Sequence, residues 1–310
     1  MSWLRSQDRL PEPDATEVER LGDVLAEVRR VELRSSRLIT DVLSGGYRST
    51  FRGLGVEFAE VREYVEGDDP RMVDWNVTAR IGRPFVKRFV EERERTLVLV
   101  PDVSATMAYG LGAWSLRQAA NRYCAMLGLM AIDNHDRVGL VVGDRFVLPQ
   151  PGGGHVLRVL ADCVGQPFEA PGRLAERLAT ATARVRRRAV VIVLSDFLTP
   201  GYEDALALAG RRHDVVAVRL LPRELLDPPR RLMRAIAPTD GGAQVQLCDF
   251  ADAGFRAAWF DLVAAWRTRH DDVIGRAGVD GVDVEVPESD DVAALAAPLL
   301  RFFRRREAGR

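Results

Sequence analysis

The sequence predicts an α/β protein built on a doubly wound, mostly parallel sheet. From Thr96 onward, short apolar runs alternate with longer segments of helical periodicity, which is typical of this class. The two most apolar runs, Leu97–Val100 and Ala189–Leu194, are rich in β-branched residues and unbroken, as expected of strands buried on both faces. An aspartate follows each of these runs, and ligands of parallel sheets lie just beyond the carboxyl ends of the strands.

The individual elements follow from apolar spacing and from Gly, Pro and capping signals. Beyond the two runs above, the remaining predicted strands are Val138–Val142, an edge strand Arg145–Leu148, Val215–Leu220 and Val282–Val286. The predicted helices are Ser115–Asp133, Val156–Val164, Leu174–Arg187, Tyr202–Arg211, Phe255–Asp271 and Asp291–Arg305. The segment with Pro222, Pro228 and Pro229 is expected to be less regular.

Two segments precede this domain. Residues 1–46 are interpreted as a polar tail followed by an amphipathic helix over Glu17–Asp41, which ends at Ser44-Gly45-Gly46. Residues 47–95 are interpreted as a small β-rich insertion with a strand in Gly82–Val90. We therefore expect three units, 1–46, 47–95 and 96–310.

The composition excludes several functional classes. The chain has 310 residues, of which 47% are hydrophobic and 29% charged, and its net charge of -1 gives no general attraction to nucleic acid or anionic membranes. Three distant cysteines and four scattered histidines do not form a zinc-binding pattern, and we expect the cysteines to be buried free thiols in a reducing compartment. The N-terminus lacks a signal-peptide pattern, and no apolar run approaches the ~20 residues of a membrane span. We expect a cytoplasmic protein.

The residues after the first central strand have the chemistry of a magnesium site. Asp102, Ser104 and Thr106 follow Leu97–Val100 at spacings of two, and Mg²⁺ prefers such oxygen ligands. Asp196 follows the strand Ala189–Leu194 in the same way. If these two strands are parallel neighbours, both carboxylates and both hydroxyls converge on one site. The alternative for Asp-x-Ser-x-Thr alone is an ordinary helix cap or turn.

A second group of charged residues lies in the β-rich segment. Asp69, Arg71, Asp74 and Arg80 surround Trp75 in the sequence, and we expect them to form a mostly buried, mutually paired network. Acid–base catalysis by these carboxylates is the alternative, but no His or Cys lies nearby in the sequence and the arginines favour the ionised form.

The sequence resembles one known family. Asp102-Val-Ser104-Ala-Thr106 with Asp196 resembles the metal-ion-dependent adhesion site of von Willebrand factor A domains. A longer set of motifs resembles the domain of unknown function 58 family (DUF58), and comprises Phe51-Arg-Gly-Leu-Gly-Val-Glu57-Phe, Val61-Arg-Glu-Tyr64, Gly67-Asp-Asp-Pro-Arg71, Asp74-Trp-Asn-Val-Thr78-Ala-Arg80 and Val86-Lys-Arg-Phe-Val-Glu-Glu-Arg93. The likeness extends from about Val31 to Val142 and continues more loosely to the C-terminus.

This resemblance implies a von Willebrand factor A-like fold with an added β-rich segment. It implies a non-enzymatic interaction or scaffold protein that acts with a MoxR-type AAA+ ATPase in assembling or activating a client complex. It also implies Mg²⁺ held by Asp102, Ser104, Thr106 and Asp196. The affinity should be weak, because the second loop, Phe168–Leu174, lacks the threonine that relatives use and Thr180 and Thr182 lie too far into the next helix.

Two other functions fit parts of the sequence. A phosphotransferase of the haloacid dehalogenase type would use Asp102 as its nucleophile, but Ser104 stands at the general-acid position and the only lysine, Lys87, precedes Asp102. Gly152-Gly-Gly154 before a helix is a phosphate-binding alternative, although a plain loop is the simpler interpretation and no Walker A sequence is present.

Overall fold

The computed structural model describes residues 20–26, 56–65, 68–91, 95–169, 172–239 and 242–308. Its strands are β1 (Val56–Glu63), β2 (Phe85–Glu91), β3 (Thr96–Pro101), β4 (Arg137–Val142), β5 (Arg145–Gln150), β6 (Val190–Ser195), β7 (Asp214–Leu221), β8 (Leu232–Thr239), β9 (Gly242–Asp249) and β10 (Asp280–Glu285). The α-helices with full bounds are α1 (Trp75–Ile81), α2 (Leu116–Asp133), α3 (Gly153–Val164), α4 (Leu174–Arg184), α5 (Glu203–Arg212), α6 (Arg223–Leu226), α7 (Ala253–Ala277) and α8 (Val292–Ala308). Residues 21–26 are also helical.

Six strands form the central sheet, in the order β10-β7-β6-β3-β4-β5. All neighbouring pairs are parallel except β4 and β5, whose antiparallel pairing makes β5 the reversed edge strand. From β3 the chain first winds outward through β4 and β5, and it then returns to place β6 on the other side of β3. The point where the winding direction reverses lies between β3 and β6, which is where ligands bind in open α/β sheets. The predicted doubly wound, mostly parallel sheet is therefore confirmed.

Helices cover both faces of this sheet because every central strand alternates its side chains between two apolar layers. Leu97 and Leu99 of β3 face the layer that holds α2, α3 and α8. Val98 and Val100 face the layer that holds α4, α5 and α7. The sheet edge that follows β3 and β6 is thus fixed by a core on each side.

Capping residues explain where the longest helices begin and end. Ser115 and Gln118 form a reciprocal capping box at the start of α2, as the predicted helix boundary requires. Asp252 caps α7 by accepting a hydrogen bond from the Phe255 N–H, and Gly278 ends it in the left-handed conformation at φ 65°. Helix α7 is consequently longer at both ends than the predicted Phe255–Asp271.

The sequence prediction missed the β8–β9 hairpin. These strands pair antiparallel from Leu232 opposite Asp249 to Thr239 opposite Gly242, within the region expected to be less regular. Three prolines upstream and Pro238 inside β8 obscured the strand pattern, since proline lowers the strand propensity of a segment. The Asp240-Gly241 dipeptide was the available hairpin signal.

The predicted charge network around Trp75 was wrong. Asp69 accepts a hydrogen bond from the Arg71 backbone N–H at 2.9 Å, and Asp74 caps α1 through the N–H groups of Asn76 and Val77. Arg71 and Arg80 are exposed, and the Trp75 side chain is 73% exposed. Short aspartate side chains before Pro or a helix reach their own backbone more easily than a distant arginine, and the small β1–β2 sheet offers little volume in which to bury ions.

The N-terminal predictions lie largely outside the described residues. The tail 1–14, most of the helix Glu17–Asp41 and the glycines at 45 and 46 belong to this part of the chain. The antiparallel β1–β2 pair lies within the segment 47–95 and the six-stranded sheet lies within 96–310. The division into three units stays a prediction.

Candidate functional site

Asp102 occupies the switch point of the sheet. Strands β3 and β6 pair in parallel with Pro101 opposite Leu194, and the Asp102 N–H continues the ladder by donating to the Leu194 carbonyl at 2.8 Å. The carboxylate of Asp102 is 1% exposed. Its Oδ1 accepts from the Ser104 N–H at 2.9 Å, and its Oδ2 accepts from the Ser195 hydroxyl at 2.7 Å. The carboxylate is therefore held rigidly by both central strands.

The two hydroxyls of the predicted site lie beside this carboxylate. Ser104 Oγ is 3.1 Å from Asp102 Oδ2 and 3.0 Å from Thr106 Oγ1. Thr106 lies in a short 3-10 helix, Ala105–Ala108, which begins four residues after the end of β3 and has Ser104 as its N-cap residue. Adjacent oxygen ligands of an octahedral Mg²⁺ are about 3 Å apart, because the Mg–O distance is about 2.1 Å. The spacing of these three oxygens fits that requirement.

Asp196 contributes a second buried carboxylate. Its Oδ1 accepts from the Leu198 N–H at 3.0 Å, whereas no donor lies in hydrogen-bonding geometry at its buried Oδ2. The Thr106 hydroxyl interacts with the same carboxylate and partly lowers its pKa. Burial, reinforced by the negative charge of Asp102, raises the pKa of Asp196 well above its ordinary value. The next residue, Phe197, has φ 55°, a strained conformation for a non-glycine residue. Asp196 is thus held in an arrangement that favours a proton or a cation at Oδ2.

The structure adds two charged residues that the sequence interpretation missed. The Arg177 side chain from α4 is 2% exposed, and its Nη1 lies 3.3 Å from Asp102 Oδ1. Its Nη2 donates to Glu169 Oε2 in the loop before α4. Neither residue follows a strand, and an arginine on an amphipathic helix resembles a solvent-facing residue, so the sequence offered little signal for them. The one sign in the sequence was that the second loop, Phe168–Leu174, contains an acidic residue, Glu169.

The second loop approaches the site through its backbone. The Glu169 N–H donates to the Val103 carbonyl at 2.7 Å, and the Glu169 carbonyl accepts from the Ala105 N–H at 3.0 Å. These two bonds flank Ser104 and form an isolated parallel β-bridge between Ser104 and Glu169. A Cβ at Gly172 would lie 2.7 Å from the Ser104 Cβ, so only glycine permits this close approach.

The threonines of α4 do not replace the missing second-loop ligand. Thr180 donates to the Glu176 carbonyl and Thr182 donates to the Leu178 carbonyl, which directs both hydroxyls onto the helix backbone. Thr199, which follows β6, is a threonine that lies next to the second loop: its Oγ1 is 3.0 Å from the position that a Cβ at Gly172 would take.

The donor set is compatible with a hard divalent cation. Two carboxylates and two hydroxyls meet at one edge, and Asp196 Oδ2 lacks a partner. Within the described residues, no three His, Cys, Asp or Glu side chains gather as a metal-binding group. A cation here therefore relies on the hydroxyls of Ser104 and Thr106 as much as on the carboxylates.

The same contacts disfavour Asp102 as the nucleophile of a phosphotransferase. Its oxygens receive donors from the Ser104 backbone and hydroxyl, from Ser195 and from Arg177. These four interactions fix the orientation of the carboxylate and leave it no free path along which to approach a phosphorus atom. A buried carboxylate in this state has little capacity to attack phosphorus.

A cavity of about 280 Å³ opens at the same end of the sheet. One wall is Gly110–Trp114, which follows the helix that carries Thr106, and the other walls come from the segments after β7 and β10. Glu224 accepts from the Leu111 N–H at 2.8 Å, and Arg223 pairs with Glu288 at 2.7 Å. These contacts tie the loop after the hydroxyls to the far strands of the sheet.

Comparison with known proteins identifies the family. The family model described as "Protein of unknown function DUF58" matches residues 60–269. The chain belongs to this family. The match covers the second strand of the β1–β2 pair, the central sheet up to β7 and most of α7, so all residues of the site lie within the DUF58 region.

The DUF58 relatives are uncharacterised. Proteins of Mycobacterium tuberculosis and Mycobacterium bovis are 30% identical over 209 residues, which is 64% of this chain. The match spans 66% of the length of these relatives. A solved structure, an aerotolerance-related membrane protein from Bacteroides fragilis carrying multiple mutations to serine, matches 70% of this chain and 100% of its own with 12% identity and a TM-score of 0.35, a likeness too loose to support any argument. None of the helices in the described part of this chain has the length and hydropathy needed to cross a membrane.

Proposed function

We propose that this protein is a non-enzymatic interaction module whose contact with a partner depends on Mg²⁺ at Asp102, Ser104, Thr106 and Asp196. The observation that carries the proposal is the unpartnered, buried Oδ2 of Asp196 beside the hydrogen-bonded oxygens of Asp102, Ser104 and Thr106. Asp102 and Asp196 together balance the charge of one divalent cation. The doubly wound strand order, with the acid-and-hydroxyl segment directly after β3, supports a von Willebrand factor A-like fold.

Within this proposal, the protein residues bind and orient, and the cation supplies open coordination positions for a carboxylate from the partner. Ser195 and the Ser104 N–H fix the Asp102 carboxylate, while the Leu198 N–H holds Oδ1 of Asp196. The affinity for Mg²⁺ alone should be weak, because no threonine of the second loop joins the ligands. Partner and metal should strengthen each other's binding by the same factor.

The partner we propose is a MoxR-type AAA+ ATPase, which the protein would link to a client complex in the cytoplasm. This part of the proposal rests on the resemblance described above.

The test is calorimetric titration of the protein with Mg²⁺, followed by a pull-down with the cognate ATPase in Mg²⁺ or EDTA. Thr106→Val and Asp196→Asn each remove one ligand while retaining the side-chain shape. Asp144→Asn is the control, since Asp144 is an exposed acid that pairs with Arg173 at 3.1 Å. We expect Mg²⁺-dependent association that both site variants lose and the control retains. Equal association in Mg²⁺ and in EDTA would overturn the metal-dependent interaction.

A further inference from the structure

One guanidinium lies between two acids at the proposed metal site. Arg177 Nη1 is 3.3 Å from Asp102 Oδ1, and its Nη2 contacts Glu169 Oε2. The Arg177 side chain is 2% exposed, and its buried Nε has no hydrogen-bond partner. The arginine is therefore not anchored by all of its donors, and its charge acts directly on a carboxylate proposed to bind metal.

The positive charge of Arg177 opposes the binding of a metal cation at Asp102. Solvent does not screen the interaction, because both side chains are buried. Arg177 Nη1 lies 3.3 Å from Asp102 Oδ1, so a Mg²⁺ ion bound to this carboxylate would lie within a few ångströms of a like charge. Coulomb repulsion at such distances is strong where the local dielectric constant is low.

Glu169 acts in the opposite sense. Its carboxylate offsets the Arg177 charge and draws one of the two terminal nitrogens away from Asp102. Its backbone is fixed next to Ser104 by two hydrogen bonds, so Glu169 holds its place relative to the site. The cluster of Asp102, Asp196, Glu169 and Arg177 has a net charge of -2 when all four are ionised, which one divalent cation neutralises.

We propose that Arg177 is an internal counter-ion that limits the affinity of the Asp102 site for divalent cations, and that Glu169 sets how strongly it does so. The inference rests on the proposed metal site and concerns its regulation. It assigns the weak affinity to a charge already present in the fold and not only to the absent second-loop threonine. The loop that carries Glu169 thereby controls how readily the site takes up metal.

The experiment is titration of the full chain with Mg²⁺ and Mn²⁺, followed by calorimetry and, for Mn²⁺, by electron paramagnetic resonance. Arg177→Met removes the charge and keeps the apolar stem. Arg173→Met is the matched control, since Arg173 lies on the same loop–helix segment, is 39% exposed and pairs with Glu169, Asp144 and Glu176. The double variant Arg177→Met/Glu169→Gln removes one charge of each sign and serves if the single variant does not fold.

We expect Arg177→Met to bind both cations about tenfold more tightly or better than the wild type, and the double variant to gain a smaller factor because it also loses the attractive charge of Glu169. Glu169→Gln should bind more weakly, and Arg173→Met should remain within about twofold because exposed charges contribute little. Cation binding by Arg177→Met alone, with none detected for the wild type, also supports the inference. Equal or weaker binding by Arg177→Met overturns it while leaving the metal site intact. Absence of binding in every variant removes the metal site, and the inference with it.

Discussion

Replacing Arg219 with methionine removes the ion pair that joins the last strand of the sheet to its neighbour. Arg219 of β7 and Asp283 of β10 are direct partners in the parallel register. The guanidinium donates to both oxygens of Asp283, at 2.8 and 2.7 Å, and to Asp271 of α7 at 3.0 Å. It also lies over the Trp266 ring, 5.2 Å from the centroid. One side chain thus connects β7, β10 and α7.

The size of the effect follows from the exposure of the partners. Arg219 is 2% exposed, whereas the Asp283 and Asp271 side chains are 33% and 66% exposed. Breaking a buried pair costs about 3–5 kcal/mol, because the remaining charge loses its partner. Asp283 keeps Arg267 at 2.9 Å and some contact with water, so we expect the lower end, about 3 kcal/mol.

The assay is urea unfolding followed by circular dichroism, with Arg267→Met as the control. Arg267 contacts the same carboxylate but is 40% exposed, so its loss should cost less than about 1 kcal/mol. The m-value should stay constant in both variants, which assigns the change to stability and not to compactness. A cost below about 1 kcal/mol for Arg219→Met, or equal costs for both variants, would refute the reasoning.

Three further predictions concern stability. Arg71→Ala should change the free energy of unfolding by less than about 0.5 kcal/mol in the same assay, because the side chain is exposed; a loss near 3 kcal/mol would restore the buried network. Gly210→Ala should destabilise the protein by about 1–3 kcal/mol, because the new Cβ would lie 2.7 Å from a backbone carbonyl oxygen. Gly275→Ala should stabilise it by up to about 1 kcal/mol, because a Cβ there meets nothing within 4 Å. Differential scanning calorimetry should show shifts of Tm in opposite directions for the two variants. Burial, with nearby arginines, lowers the pKa of His213 from 6.5 to about 4, so the unfolded chain binds the proton more readily and stability falls as the pH drops from about 6.5 to 4. His213→Phe should remove about 2.5 kcal/mol of the loss between pH 7 and 4.5, and an unchanged pH dependence in urea unfolding would contradict this.

The sequence predicted the central sheet well because its signals are local and strong. Leu97–Val100 and Ala189–Leu194 are continuous apolar runs, and such runs are buried wherever a parallel sheet forms. The sequence analysis required β3 and β6 to be parallel neighbours for Asp102 and Asp196 to meet, and the structure confirms this pairing.

Other parts of the site depend on tertiary packing and leave no periodic signal. Arg177 is indistinguishable in the sequence from a solvated helix arginine until α4 packs against β3 and directs it to Asp102. In the sequence the Pro171-Gly172 dipeptide is typical of a turn, whereas in the structure Gly172 lets the second loop approach Ser104 closely. The prediction of a buried network around Trp75 was wrong because local interactions dominate there. Asp69 and Asp74 accept hydrogen bonds from nearby backbone N–H groups, and Arg71 and Arg80 are exposed.

The hydrogen bond from Ser195 to Asp102 joins residues 93 positions apart in the chain. The chain between them forms β4, β5 and the helices α2 to α4, and closing a loop of this length is entropically costly. The site is therefore incomplete in any fragment that stops before β6, because such a fragment lacks Ser195 and Asp196. Its oxygens come together only when β3 and β6 pair, so binding of the proposed cation would report that the two halves of the sheet have docked.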